Sequence, residues 1–97
     1  MKKIRWGILS TGNIAGSFTE DICHVLDAEV VAVGSRNQAS ADAFGQKYSI
    51  PNRHPSYESL ANDSDVDVIY IATPHVFHAE NSILCMEAKK AVLCEKA

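Results

Sequence analysis

Apolar residues fall along this chain in two rhythms. Apolar-rich runs occupy residues 4–10, 29–34 (around Val30-Val31-Ala32-Val33), 66–72 and 91–94. They are short, rich in Val and Ile, and bounded by small or polar residues, as in strands covered on both faces. Between the first two runs, Ile14, Phe18, Ile22 and Leu26 recur at a spacing of four. That spacing predicts a helix with its apolar stripe on the sheet. Asn37 or Ser40 is the candidate cap of a second helix, which contains Ala39, Ala41, Ala43 and Phe44 and ends by Ile50-Pro51. Gly45 inside it is expected to weaken it slightly. Residues 52–55 leave room for a strand of two or three residues, and Ser56 caps one or two helical turns over 56–61. After Thr73-Pro74, a helix is predicted from His75 to about Lys89, with Val76, Ala79, Ile83 and Met86 on one face. Lys89 and Lys90 fall at its negative end, where cations are favoured.

The elements alternate β-α-β-α-β-α-β-α-β with short connections. That alternation predicts an α/β fold, a doubly wound parallel sheet of about five strands in the order 3-2-1-4-5. Ligands of such sheets bind beyond the carboxyl ends of the strands, where the order reverses between strands 1 and 4. The 97 residues suit one domain of this kind, over residues 1–97. A net charge of −3 without a stripe of Lys and Arg argues against nucleic acid as a partner. No apolar run reaches membrane-spanning length, and Met1-Lys2-Lys3 leads into a strand rather than a signal-peptide core, so a cytoplasmic, non-membrane protein is expected. Cys23, Cys85 and Cys94 are odd in number and widely spaced, which suits reduced thiols better than a disulfide frame or a zinc site. No metal site is expected.

The first strand runs into Ser10-Thr11-Gly12-Asn13-Ile14-Ala15. A small-residue turn between a strand and a helix lets backbone approach a pyrophosphate, and the helix start supplies unpaired N–H groups. Against the G-x-G-x-x-G/A fingerprint, Ser10 stands at the first glycine and Ala15 at the third, with Gly12 at the position of closest approach. About 20 residues further on, an NAD site usually places an acid on the ribose. Here that place holds Ser35 and Arg36. A guanidinium without a carboxylate suits a 2′-phosphate, so NADP is expected ahead of NAD. At the end of the fourth strand, Thr73, Pro74, His75 and His78 are candidates to line the same cleft. After the fifth strand, Glu95 and Lys96 return to that edge, where a lysine near nicotinamide can stabilise alkoxide charge on a substrate oxygen. A phosphoacceptor domain of similar architecture would need acids where Ser10-Thr11-Gly12 stands.

Taken with Val68-Ile69-Tyr70-Ile71-Ala72-Thr73-Pro74-His75 and Val92-Leu93-Cys94-Glu95-Lys96, these stretches resemble the glucose–fructose oxidoreductase/inositol dehydrogenase/rhizopine catabolism (Gfo/Idh/MocA) family. The dihydrodiol and xylose dehydrogenase-like branch looks closest. The resemblance implies the N-terminal NADP-binding part of an oxidoreductase that moves hydride to or from a sugar, polyol or related alcohol. It also implies a catalytic role for Lys96. Separately, Val92-Leu93-Cys94 as an uncovered edge strand leads to the expectation of a homo-oligomer that pairs through this edge. The family's Glu-Lys-Pro motif matches Glu95-Lys96-Ala97, with alanine for proline, and His75 stands where asparagine is common. Family chains are several times longer. The expectation is therefore a chain that stops before the sixth strand and the C-terminal substrate domain, as a fragment or a natural short product, and that binds nucleotide without turnover. The alternative is a non-catalytic nucleotide-binding or protein-interaction module.

Overall fold

A computed structural model describes residues 3–25, 27–73 and 77–94. Five strands and four helices follow one another as β1 (Ile4–Leu9), α1 (Asn13–Ile22), β2 (Ala28–Gly34), α2 (Gln38–Tyr48), β3 (Asn52–His54), α3 (Tyr57–Ala61), β4 (Val68–Ile71), α4 (His78–Glu87) and β5 (Ala91–Cys94). The strands form one parallel sheet in the order β3-β2-β1-β4-β5. The doubly wound fold read from the sequence is the one observed.

Alternate residues of each strand face opposite sides of the sheet, and two cores result. Ile8, Val33 and Tyr70 pack with Ala15 of α1 and Phe44 of α2. Leu9, Ala32, Ile69 and Ile71 pack with Leu60 and Ala61 of α3 and Cys85 of α4. Close approach of α3 to the sheet needs glycines beneath it. A side chain at Gly34 would meet Leu60 at 2.8 Å, and one at Gly7 would meet Leu60 and Val66 at 3.1 Å.

Two helices present faces that differ in part from those expected, although Phe18 of α1 packs against the sheet as its spacing predicts. On α1 the buried residues are Ala15, Gly16 and Thr19, while Ile14 is 52% exposed. The Thr19 hydroxyl donates to the Ala15 carbonyl at 2.8 Å, so the threonine is buried at no cost in unpaired groups. Gly16 lets the Tyr48 hydroxyl of α2 come within 2.7 Å of where its Cβ would be. On α4 the buried residues are Asn81 and Cys85, whereas Ile83 and Met86 are 55% and 58% exposed. Leu26 and Val76, also assigned to these stripes, lie outside the described residues.

Other details are local. The α2 helix is capped by Asn37, whose side chain accepts from the Ser40 N–H at 2.8 Å. It ends through Ser49 at φ 58°, one residue before Ile50-Pro51. Gly45 leaves room for the Arg53 side chain, which a Cβ there would force to move. Lys90 serves a different carbonyl set from the expected end of α4. Its ammonium donates to the Asp63 and Val66 carbonyls at 2.7 and 2.8 Å, tying the α3–β4 connection to the start of β5. Asp63 also accepts from Asn52, and its carboxylate lies 2.8 Å from His54 Nε2. Burial pushes the Asp63 carboxyl up, but the bonds from His54, the Asp65 N–H and Asn52 outweigh it and hold its pKa below the ordinary value.

Candidate functional site

The register brings four strand ends side by side. Leu9 of β1 pairs with Gly34 of β2 and with Ile71 of β4, and Ile71 pairs with Cys94 of β5. The chain leaving each strand stays tied to its neighbour. The Ser10 N–H donates to the Gly34 carbonyl at 2.9 Å, the Ala72 N–H to Leu9 at 3.1 Å, and the Ser35 N–H to His54 at 3.1 Å. Ser10–Thr11, Ser35–Arg36 and Ala72–Thr73 therefore emerge on one edge, at the reversal of strand order.

Ser10 adopts φ 105°, a backbone conformation that favours glycine. The fingerprint glycine replaced in the sequence is thus replaced at a position where the backbone still makes the glycine turn. Gly12 follows as the N-cap of α1 with extended backbone, φ −77° and ψ −175°. Nothing in the chain lies within 4 Å of where its Cβ would stand. The other four glycines each sit against a side chain of their own protein. Only the bareness of Gly12 has no internal cause.

The end of α1 is also electrically open. No side chain caps it and its first turn holds no acid. Its first intrahelical bond runs from the Gly16 N–H to the Gly12 carbonyl at 3.1 Å, which leaves the N–H groups of Asn13, Ile14 and Ala15 ahead of it. The positive end of the helix dipole lies with them, at the turn that follows the end of β1. Asn13 and Ile14 are exposed, and Thr11 and Asn13 line a 560 Å³ groove that runs between α1 and α2.

Among the other candidates, Ser35 is buried and Arg36 exposed. Arg36 and Thr73 line a smaller cleft of 180 Å³ on the α3–α4 side, together with Tyr57, Phe77, Glu80 and Asn81. The Thr73 hydroxyl donates to Asn81 Oδ1 at 2.6 Å, so its proton is directed at α4. His78 Nε2 donates to the Thr73 carbonyl at 2.7 Å and fastens the start of α4 to the end of β4. Pro74, His75, Glu95 and Lys96 lie outside the described residues. Tyr57, Phe77, Glu80 and Asn81 were not among the sequence candidates. The one signal for them is Asn81, a polar residue on the buried side of α4, one turn past His78.

Among the described residues, no group of three or more His, Cys, Asp or Glu is placed to hold a metal ion. No helix among them is long and apolar enough to cross a membrane.

A parallel sheet with a reversed strand order, a glycine turn and an uncapped helix start define a dinucleotide-binding domain of the Rossmann type. Residues 4–96 match the oxidoreductase family with an NAD-binding Rossmann fold, Gfo/Idh/MocA, and the chain belongs to that family. The chain is 48% identical over 95 residues to the trans-1,2-dihydrobenzene-1,2-diol dehydrogenase of Mus musculus, and 49% over 96 residues to that of Danio rerio. Each alignment covers 96% of this chain and 28% of the relative. Among solved structures, KijD10 is similar, a 3-ketoreductase from Actinomadura kijaniata in complex with TDP-benzene and NADP. It superimposes with a TM-score of 0.92 at 30% identity, over 98% of this chain and 30% of that one. The chain thus spans less than a third of the length of the relatives it matches.

Proposed function

We propose that this chain is the NADP-binding part of an oxidoreductase that transfers hydride between nicotinamide and a diol, sugar, polyol or related alcohol. The observation that carries the reading is the open start of α1 at Gly12, a bare and uncapped backbone at the switch point of the sheet. The residues present fit a dinucleotide there. The N–H groups opening α1 donate to the pyrophosphate, and Gly12 lets the backbone reach it. Arg36, exposed at the end of β2 with no acid beside it in Gly34-Ser35-Arg36-Asn37, pairs with the 2′-phosphate. KijD10, the similar solved structure, holds NADP.

When bound, the nicotinamide supplies the hydride donor or acceptor. Lys96, the last residue of the family match, donates to the substrate oxygen and stabilises charge as it develops there. The named relatives carry most of their length outside the aligned region. The substrate-orienting wall and the proton acceptor are assigned to that part of the polypeptide.

Calorimetric titration of NADP and NAD against the wild-type chain and Arg36→Ala tests the cofactor reading. NADP is expected to bind the wild type more tightly. Arg36→Ala should weaken NADP by roughly 1.5–3 kcal/mol, the worth of a charge-assisted hydrogen bond, and NAD far less. Equal losses for both cofactors would refute the assignment of Arg36.

A further inference from the structure

Four residues, Ser35, Arg36, Asn37 and Gln38, lead from the end of β2 into α2. Most of their polar groups are engaged within the chain. The Ser35 N–H donates to the His54 carbonyl at 3.1 Å. Asn37 Oδ1 accepts from the Ser40 N–H at 2.8 Å. Gln38 Nε2 donates to Asp42 Oδ1 at 2.9 Å and to the Arg53 carbonyl at 3.1 Å. Among the described residues, no acid pairs with the Arg36 guanidinium. The turn is thus tied down on both sides of a side chain that is left for a ligand.

The two bonds from Gln38 differ in what they explain. Asp42 lies four residues along α2, and a pair at that spacing stabilises a helix by itself. Arg53 lies 15 residues away, on β3. A bond to it adds nothing to the helix and instead ties the first turn of α2 to the strand. Ser35 and Gln38 therefore reach two consecutive carbonyls of β3, one from each side of Arg36. That strand is a firm anchor. Arg53 Nε donates to the Ile50 carbonyl at 2.9 Å, and the His54 ring is held between Ser59 Oγ at 2.7 Å and Asp63 Oδ2 at 2.8 Å.

We propose that Gln38 is a positioning residue for NADP selection, its bond to the Arg53 carbonyl fixing the turn from which Arg36 meets the 2′-phosphate. The proposal rests on the assignment of Arg36 to that phosphate. A bidentate guanidinium–phosphate contact depends on orientation, and a turn fixed before binding loses less freedom in forming it. NAD has no 2′-phosphate, so its affinity is insensitive to how Arg36 is aimed. Gln38 is exposed, and Gln38→Met keeps side-chain length and helix propensity while removing the N–H donors.

The test is calorimetric titration of NADP and NAD against the wild-type chain, Gln38→Met, Arg36→Ala and the double variant. Gln38→Met should weaken NADP roughly three- to tenfold, as for one ordinary hydrogen bond lost, and NAD less than about twofold. In the Arg36→Ala background the same change should leave NADP affinity unaltered, because no guanidinium remains for the turn to aim. Equal losses for both cofactors in Gln38→Met overturn the positioning role and leave the NADP reading standing. So does undiminished NADP binding by Gln38→Met, or the same NADP loss in the Arg36→Ala background. Equal losses of both cofactors in Arg36→Ala overturn the positioning role and the NADP reading together, as does no binding of NADP at all.

Discussion

Three helices of this fold begin just past a turn at small polar residues, and they begin differently. The α2 and α3 starts are closed from within, by Asn37 accepting from Ser40 N–H at 2.8 Å and Ser56 accepting from Ser59 N–H at 3.1 Å. The α1 start is left open at Gly12, where neither a cap nor a packing contact occupies the space. A capping side chain contributes about 1 kcal/mol, so forgoing one at α1 has a modest energetic consequence for the chain and a large one for what can approach it. Closed starts terminate and stabilise an element. The open start keeps its N–H groups for something outside the chain.

The sharpest break in this contrast comes from the glycines. Gly34→Ala should lower stability by about 1–3 kcal/mol, the range for overpacking, because its Cβ would meet Leu60 at 2.8 Å and the Ser56 carbonyl at 3.3 Å. Thermal or urea unfolding reads the loss. A neutral Gly34→Ala would mean that crowding is a poor guide to which glycines the fold needs.

Removing a closed cap is the next effect. Asn37→Ala should destabilise by about 1 kcal/mol and weaken NADP far less than Gly12→Asn does, since its side chain is already spent on the Ser40 N–H. A matching loss of NADP binding would blur the distinction between the two kinds of helix start.

The smallest effect runs in the opposite direction. Ser10 holds φ 105°, and Ser10→Gly should raise stability by about 1 kcal/mol or less, strain relief being offset by the greater freedom of glycine when unfolded. Its melting midpoint should rise while NADP binding persists. A fall in the midpoint would show that the serine side chain makes up for its backbone strain.

Much of this was legible in the sequence because parallel strands are continuous apolar runs, and the order of the sheet follows from short right-handed crossovers. The helix faces were less so. Spacing by hydrophobicity put Ile14, Ile83 and Met86 inward, yet the sheet-facing positions went to Ala15, Gly16, Thr19, Asn81 and Cys85. Small residues let the helices approach closely, and Thr19 and Asn81 are buried because each has a hydrogen-bond partner within reach. Such pairing depends on tertiary geometry, which periodicity does not carry. The strand–turn–helix at Gly12 was readable because its small-residue spacing is local. The cleft beside Arg36 was not, because Tyr57 reaches it from α3 and Phe77 and Glu80 from the start of α4 and the residue before it, segments distant in sequence.

The central claim is that Gly12 is bare for a ligand and not for the fold. Gly12→Asn gives α1 the cap that α2 already has, at a position with extended backbone and empty space for a side chain. Thermal unfolding and NADP titration on this one variant decide the matter together. The account predicts stability unchanged or higher by about a few tenths of a kcal/mol, with NADP affinity reduced roughly tenfold or more as the side chain takes N–H groups from the phosphates. Undiminished NADP binding by a folded Gly12→Asn chain would contradict it.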